Sequence, residues 1–246
     1  MLKVITIITK FILVTLTALL FASCNHSINI KSITGSGHVT TENRNVNEGF
    51  KSIEVSNAID LIIEQSDKTE ITVEADDNLQ ESITTTIENG VLIIACDYNS
   101  FINIESKKVT VKMPIIESLR ASSASSITSV NTLKAENINL RTSSASNMNL
   151  NIESDNIECK ASSGSSITVD GMALSLEATA SSGSDIDAND LLANEVSAVA
   201  SSGATINVHP IVSLKAKASS GSNINYNKTP KSIEKKSSSG GSIDKV

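Results

Sequence analysis

Residues 157–169 read Ile157-Glu158-Cys159-Lys160-Ala161-Ser162-Ser163-Gly164-Ser165-Ser166-Ile167-Thr168-Val169, and the fold is decided there. On both sides of the serines, apolar and polar residues alternate with period two, the mark of a strand with one buried face. The serines and Gly164 interrupt that alternation as a turn would. The same unit recurs along the chain. Ser-Ser pairs begin at Ser122, Ser143, Ser162, Ser181, Ser201, Ser219 and Ser238, in steps of 21, 19, 19, 20, 18 and 19 residues. A period near 20 residues signals a solenoid.

The register holds slot by slot. Five residues before the pairs stand Ile138, Ile157, Leu176, Val196, Leu214 and Ile233. Three before stand Leu119, Leu140, Cys159, Ala178, Ala198 and Ala216. Five after stand Ile127, Met148, Ile167, Ile186, Ile206, Ile224 and Ile243. Arg120, Arg141, Lys160 and Lys217, or Glu158 and Glu177, fill the intervening outward positions. Ser123, Ser144, Ser163, Ser182, Ser202 and Ser220 then become stacked turn residues, with Gly164, Gly183, Gly203, Gly221 and Gly240 easing the bend. The expected fold is all-β: a right-handed parallel β-helix with coils of about 19 residues. Serine ladders along its axis and a polar last coil (Lys235 and Ser237 in inward slots) are expected with it. A disordered Ser/Gly linker would have no reason to keep the Ile and Ala slots. An outer-membrane barrel needs longer strands and aromatic girdles. Aromatics are only 2% of the 246 residues, and Trp is absent.

Outward from the repeat, the chain divides into four parts. In residues 1–23, Lys3 and Lys10 flank the start of an apolar run from Phe11 to Phe21 that ends in Ala22-Ser23 before Cys24, which reads as a signal peptide. Cys24 follows as a lipidation site, so acyl chains anchor the mature protein. Residues 24–48 read as a polar tether. Residues 49–116 are a β region with strands at Phe50–Gln65, Ile71–Val73, Ile83–Glu88, Val91–Cys96 and Val109–Met113. Asn89-Gly90 marks a hairpin there, and residues around Leu79–Ile83 hold one helical turn at most. Irregular first coils and an antiparallel cap are both open for this region. Residues 117–246 are the repeat. Cys96 and Cys159 read as buried free thiols, although an exported compartment permits a disulfide.

Phe50-Lys51-Ser52-Ile53-Glu54-Val55, Val73-Glu74-Ala75-Asp76-Asp77-Asn78-Leu79, Glu88-Asn89-Gly90-Val91-Leu92-Ile93-Ile94 and the Ser-Ser-Gly-Ser repeats, together with the lipobox, resemble the head GIN domain family. These are auto-transporter adhesin-like lipoproteins of Bacteroidota. The resemblance runs from about Phe50 to Tyr226. It implies a β-helical, surface-interacting protein of the cell envelope and brings no catalytic residues.

The search for chemistry adds little. His26, His38 and His209 lack partners at metal-ligand spacing. Serine demanded by every coil is turn chemistry and not a nucleophile. Asp185, Asp187 and Asp190, near Asp170, form the best acidic cluster and the one candidate metal site. Asp185 and Asp187 flank inward Ile186 and so share one outer face. Two readings follow. One is a non-enzymatic, cofactor-free, lipid-anchored solenoid at the outer membrane, facing the periplasm or the outside, that meets a surface protein or glycan. The other is a carbohydrate-binding or carbohydrate-active β-helix using the Asp185/Asp187 face. A net charge of −7 argues against nucleic acid.

Overall fold

The computed structural model describes residues 8–12, 14–15, 31–45 and 49–246. The chain separates into two units, Met1–Lys31 and Ser32–Val246. In the first, residues 8–12 and 14–15 are helical and exposed. No helix among the described residues is long and apolar enough to cross a membrane. The signal cleavage site, Cys24 and His26 lie outside the described residues.

The second unit is all-β. Its strands are β1 (Ser32–Thr34), β2 (Val39–Arg44), β3 (Ser52–Val55), β4 (Asp60–Gln65), β5 (Glu70–Asp76), β6 (Ile83–Glu88), β7 (Val91–Cys96), β8 (Ser100–Ile102) and β9 (Lys107–Met113). The repeat adds β10 (Ser118–Ala121), β11 (Ser126–Ser129), β12 (Leu133–Thr142), β13 (Asn147–Ala161), β14 (Ser166–Ala180), β15 (Asp185–Ala200), β16 (Thr205–Ala218), β17 (Asn223–Tyr226), β18 (Ser232–Ser237) and β19 (Ser242–Lys245). From β10 onward every pairing is parallel, and equivalent slots lie side by side: Ile127↔Met148, Met148↔Ile167, Ile167↔Ile186 and Ile186↔Ile206. These side chains are buried, and an aliphatic residue so buried contributes roughly 2 kcal/mol. The solenoid repeat is therefore as its spacing predicts.

Each coil turns sharply at the serine pair. Ser123, Ser144, Ser163, Ser182, Ser202, Ser220 and Ser239 all have φ between 48° and 57°, and the residue after each (Ala124, Ala145 or a glycine) is also at positive φ. Two consecutive left-handed residues define a type I′ turn. An i→i+3 bond closes it, as from Ser146 N–H to Ser143 C=O at 3.3 Å. The turns stack by a main-chain ladder, and the hydroxyls of the buried serines add bonds to the preceding coil. Ala124 N–H donates to Ser144 C=O, Ala145 to Ser163, Gly164 to Ser182, Gly183 to Ser202 and Gly203 to Ser220, each at 3.0–3.1 Å. The buried serine is the fourth of the motif. Ser165 Oγ accepts from Ser162 N–H (3.1 Å) and lies 2.8 Å from Ser162 C=O and 2.9 Å from Thr142 Oγ1. Ser146 Oγ reaches Ala121 C=O of the preceding coil at 2.8 Å. Opposite the turn the long strands bend, and Gly171 is obligatory there. Its φ is +118°, and a Cβ would stand 2.1 Å from Ile152 C=O.

Both readings of residues 49–116 hold in part. β3 and β4 form a true coil, pairing in parallel with β10 and β11. Their turn, Ser56-Asn57-Ala58-Ile59, has Asn57 and Ala58 at positive φ, an eighth copy whose sequence hides it. β7 and β9 stack in parallel on the other side of β3 and β4, so the coil that comes later in sequence sits further out in space. Antiparallel β6 covers β7, and antiparallel β5 covers β9. The Asn89-Gly90 hairpin is present, and a 3-10 helix spans Asp77–Ser82.

Part of the expected tether is folded. β2 pairs antiparallel with β5, and β1 pairs in parallel with β8. Periodicity missed these strands because they are exposed and polar. Asp76 holds this cap together. Its fully buried carboxylate accepts N–H bonds from Gly37 (2.8 Å), Glu105 (2.9 Å) and Ser106 (3.1 Å). Burial alone would raise its pKa, but these N–H groups outweigh burial and hold it below the usual carboxylate value.

The two ends of the core close with lysines. Lys107 donates to Asn57 C=O at 2.9 Å and lies over the Phe101 ring. It thus occupies the ladder position that a preceding turn would fill, and burial pushes its ammonium down to about 8. At the far end Lys235, in register with Ala216, folds inward to Tyr226 Oη (2.8 Å) and Ile243 C=O (3.1 Å). Cys96 and Cys159 are buried and free.

Three outcomes are expected in urea unfolding. Ser165→Ala removes the hydroxyl that bonds Ser162 C=O and Thr142 Oγ1 and costs about 1–2 kcal/mol. Ala145→Gly relieves a left-handed alanine and adds about 1 kcal/mol. Asp76→Ala strands three N–H groups and costs about 3 kcal/mol or more. Because the folded-state pKa of Asp76 lies below the unfolded one, its contribution is complete above the unfolded value, near 4, and fades as the pH falls further. A pH series of melts on the wild type and the Asp76→Ala variant checks the difference.

Candidate functional site

The stacked strands form two walls that meet at the serine turns. The wall before the turn contains β3, β10, the end of β12 and the later halves of β13–β16. The wall after it contains β4, β11 and the earlier halves of β13–β16. Because inward slots are occupied by aliphatics, every outward slot becomes a column along the axis.

On the wall after the turn the central column runs Thr128, Asn149, Thr168, Asp187 and Asn207, beside Ser126, Asn147, Ser166, Asp185 and Thr205. Asp185 and Asp187 do share the outer face. Burial, then Asp187, raises the pKa of Asp185. Burial, then Asp190 and Asp187, raises that of Asp170. These carboxylates repel one another yet do not converge. Among the described residues no three His, Cys, Asp or Glu side chains are placed to hold a metal ion. The candidate site at Asp185, Asp187 and Asp190 is thus not assembled, because the strand displays them in a line and the register shifts beside them, between Ala188 and Leu192.

The wall before the turn carries a column of cations beside Glu158 and Glu177. Arg120, Arg141 and Lys160 lie in direct register on three successive strands. Like charges placed side by side on neighbouring strands oppose pairing. The relief is partial: Glu54 lies 3.8 Å from Arg120, while Glu158 serves both Arg141 (3.7 Å) and Lys160. The Lys160 hydrogen bond, opposed by burial, lowers the Glu158 pKa. Between this row and the first serines of the turns, Ser122, Ser143, Ser162 and Ser181, runs a groove of about 420 Å³. The repeat places these cations in one outward slot, two residues before each serine pair, and the pairing register aligns them as that slot predicts.

A third surface lies at the bend of the long strands, where Met172, Leu174 and Leu192 are exposed. They border a groove of about 710 Å³ rimmed by Lys134, Glu153 and Asp155. The repeat signal missed it because these residues fall outside the periodic slots.

Three similar solved structures share this architecture. One is titled a putative adhesin from Bacteroides fragilis: 18% identical, TM-score 0.81, covering 87% of this chain and 100% of that one. Another is a putative lipid binding protein from Parabacteroides distasonis: 23% identical, TM-score 0.72, covering 88% and 100%. A third is a putative adhesin from Parabacteroides merdae: 20% identical, TM-score 0.69, covering 87% and 99%. At such identities the likeness carries the fold alone. No curated protein matches the chain. Residues 49–230 match the family described as "Putative auto-transporter adhesin, head GIN domain", covering both the capped N-terminal coils and nearly all of the serine repeat, and the chain belongs to that family.

Proposed function

We propose that this protein is an exported, lipid-anchored solenoid of the cell envelope that acts by adhesion and not by catalysis. The observation that carries the reading is the join of two features. The chain opens with a charged, then apolar, then small-residue segment ending at Cys24. It continues as a solenoid whose two walls beside the serine turns are largely polar and repeated from coil to coil. Such a face suits extended contact, in which many weak polar interactions add along one axis. The family's description as an adhesin head supports the same reading. Acid–base hydrolysis of a glycoside needs two carboxylates set across one bond, whereas Asp185 and Asp187 stand beside each other on one strand. Localisation at the outer membrane, with the solenoid facing outward, belongs to the proposal.

Two measurements test it. The wild type labels with palmitate and sediments with membranes, and Cys24→Ala abolishes the label and releases most of the protein into the soluble fraction. Protease added to intact cells removes the solenoid. A wild type that takes up no lipid, or that stays fully protected on intact cells, would overturn the corresponding half of the proposal.

A further inference from the structure

We propose that the groove beside Arg120, Arg141 and Lys160 binds a linear anionic polysaccharide bearing a carboxylate on each sugar, with the chain lying along the solenoid axis. The inference deepens the adhesion reading and rests on it, since it names the ligand class and the wall that takes it.

Three cations in register on adjacent strands, about 4.8 Å apart, repel one another. Their side chains are each about half exposed, and two carboxylates serve all three. The row thus holds one cation more than the carboxylates that pair with it, on a chain whose net charge is −7. The column resumes further along with Lys217 and Lys236, in register with one another after Thr179 and Val199. The other wall carries Asp185 and Asp187 and no comparable row of cations beside them, so the cation row is the better place for an anion.

The shape selects the class of anion. The groove runs from coil to coil beside the turn serines, with Ser122, Ser143 and Ser162 next to the cations and Glu54 at its first rung. An extended 1,4-linked sugar chain advances by nearly one strand spacing per residue, so its carboxylates recur at one or two rungs. Its hydroxyls pair with the serines while its carboxylates pair with the cations. A nucleic acid strand would want aromatic platforms, and none lines the groove. A lipid surface would want large apolar side chains to insert, and the apolar lining is only Ala121 and Ala161.

The test uses the full-length lipoprotein in detergent micelles with polymannuronate as the probe. β-1,4-Mannan is its neutral twin, and phosphatidylglycerol vesicles test the membrane alternative. The expected result is binding to polymannuronate that weakens with salt, and none to mannan. Arg120→Gln/Arg141→Gln/Lys160→Gln, with an unchanged melting temperature, weakens binding by roughly tenfold. Arg120→Lys/Arg141→Lys retains most of it. Glu158→Gln tightens it by freeing Arg141 and Lys160. Asp185→Asn/Asp187→Asn leaves it no weaker. The inference is overturned if polymannuronate fails to bind, if the triple Gln variant binds as tightly as the wild type, or if phosphatidylglycerol vesicles are preferred. These failures leave the adhesion reading standing when protease still removes the solenoid from cells. A solenoid protected from protease sinks that reading whatever the glycan result.

Discussion

Two consecutive residues at positive φ, repeated once per coil, are the constraint on which the rest of the molecule depends. A left-handed non-glycine residue costs about 1–2 kcal/mol, and this chain accepts that at every serine turn. The return is geometric. Only so tight a corner brings the next strand back in register. It also aims the turn's free N–H at the carbonyl of the following coil, which yields the axial main-chain ladder. In five of the seven copies the fourth residue is a buried serine whose hydroxyl bonds the backbone of the corner, and Ala204 and Gly241 take that place in the other two.

A ladder must end, and the two ends are managed differently. At the N-terminal end the chain inserts β5 and β6 between its own coils in sequence, then folds them back as antiparallel covers. Lys107 takes over the bond of the missing turn. Asp76 fastens the β1–β2 loop and the segment before β9 to this cover with a single buried carboxylate. In the last coil a lysine lies where earlier coils have alanine, its stem over the core and its ammonium on Tyr226 Oη. A charged group suits that position because it can satisfy carbonyls that have no further strand to pair with.

The same register that packs the core also arranges the surface. Once Ile stacks on Ile, each outward residue has no choice but to stack on its counterpart. A substitution in one coil therefore acts on a column and not on an isolated spot. That is how Arg120, Arg141 and Lys160, some twenty residues apart in sequence, become one charged row. It is also why the aspartates around Asp185 remain a display and not a cage, since a flat parallel sheet spreads side chains where a metal site gathers them.

Much of this was legible in the residues alone. The period of Ser-Ser pairs, the alternation around them and the small residues at the corner are local properties, and local periodicity is enough to specify a parallel solenoid with its inward and outward faces. The Asn89-Gly90 hairpin was legible for the same reason. Tertiary structure decided the rest. It made Ser56-Asn57-Ala58 a cognate turn, with Asn57 where the repeat has serine and Ala58 where Ala124 and Ala145 stand. It placed β7 and β9 outside β3 and β4, an order that chain connectivity does not encode. It recruited polar residues 32–44 as cap strands, which bury little and so leave no hydrophobic pattern to read. It also set the row of cations beside a groove. The sequence by itself determined which side chains face outward and which share a repeat slot; only tertiary pairing, a long-range property, decided which strands cap the ends and where the cation row meets a groove.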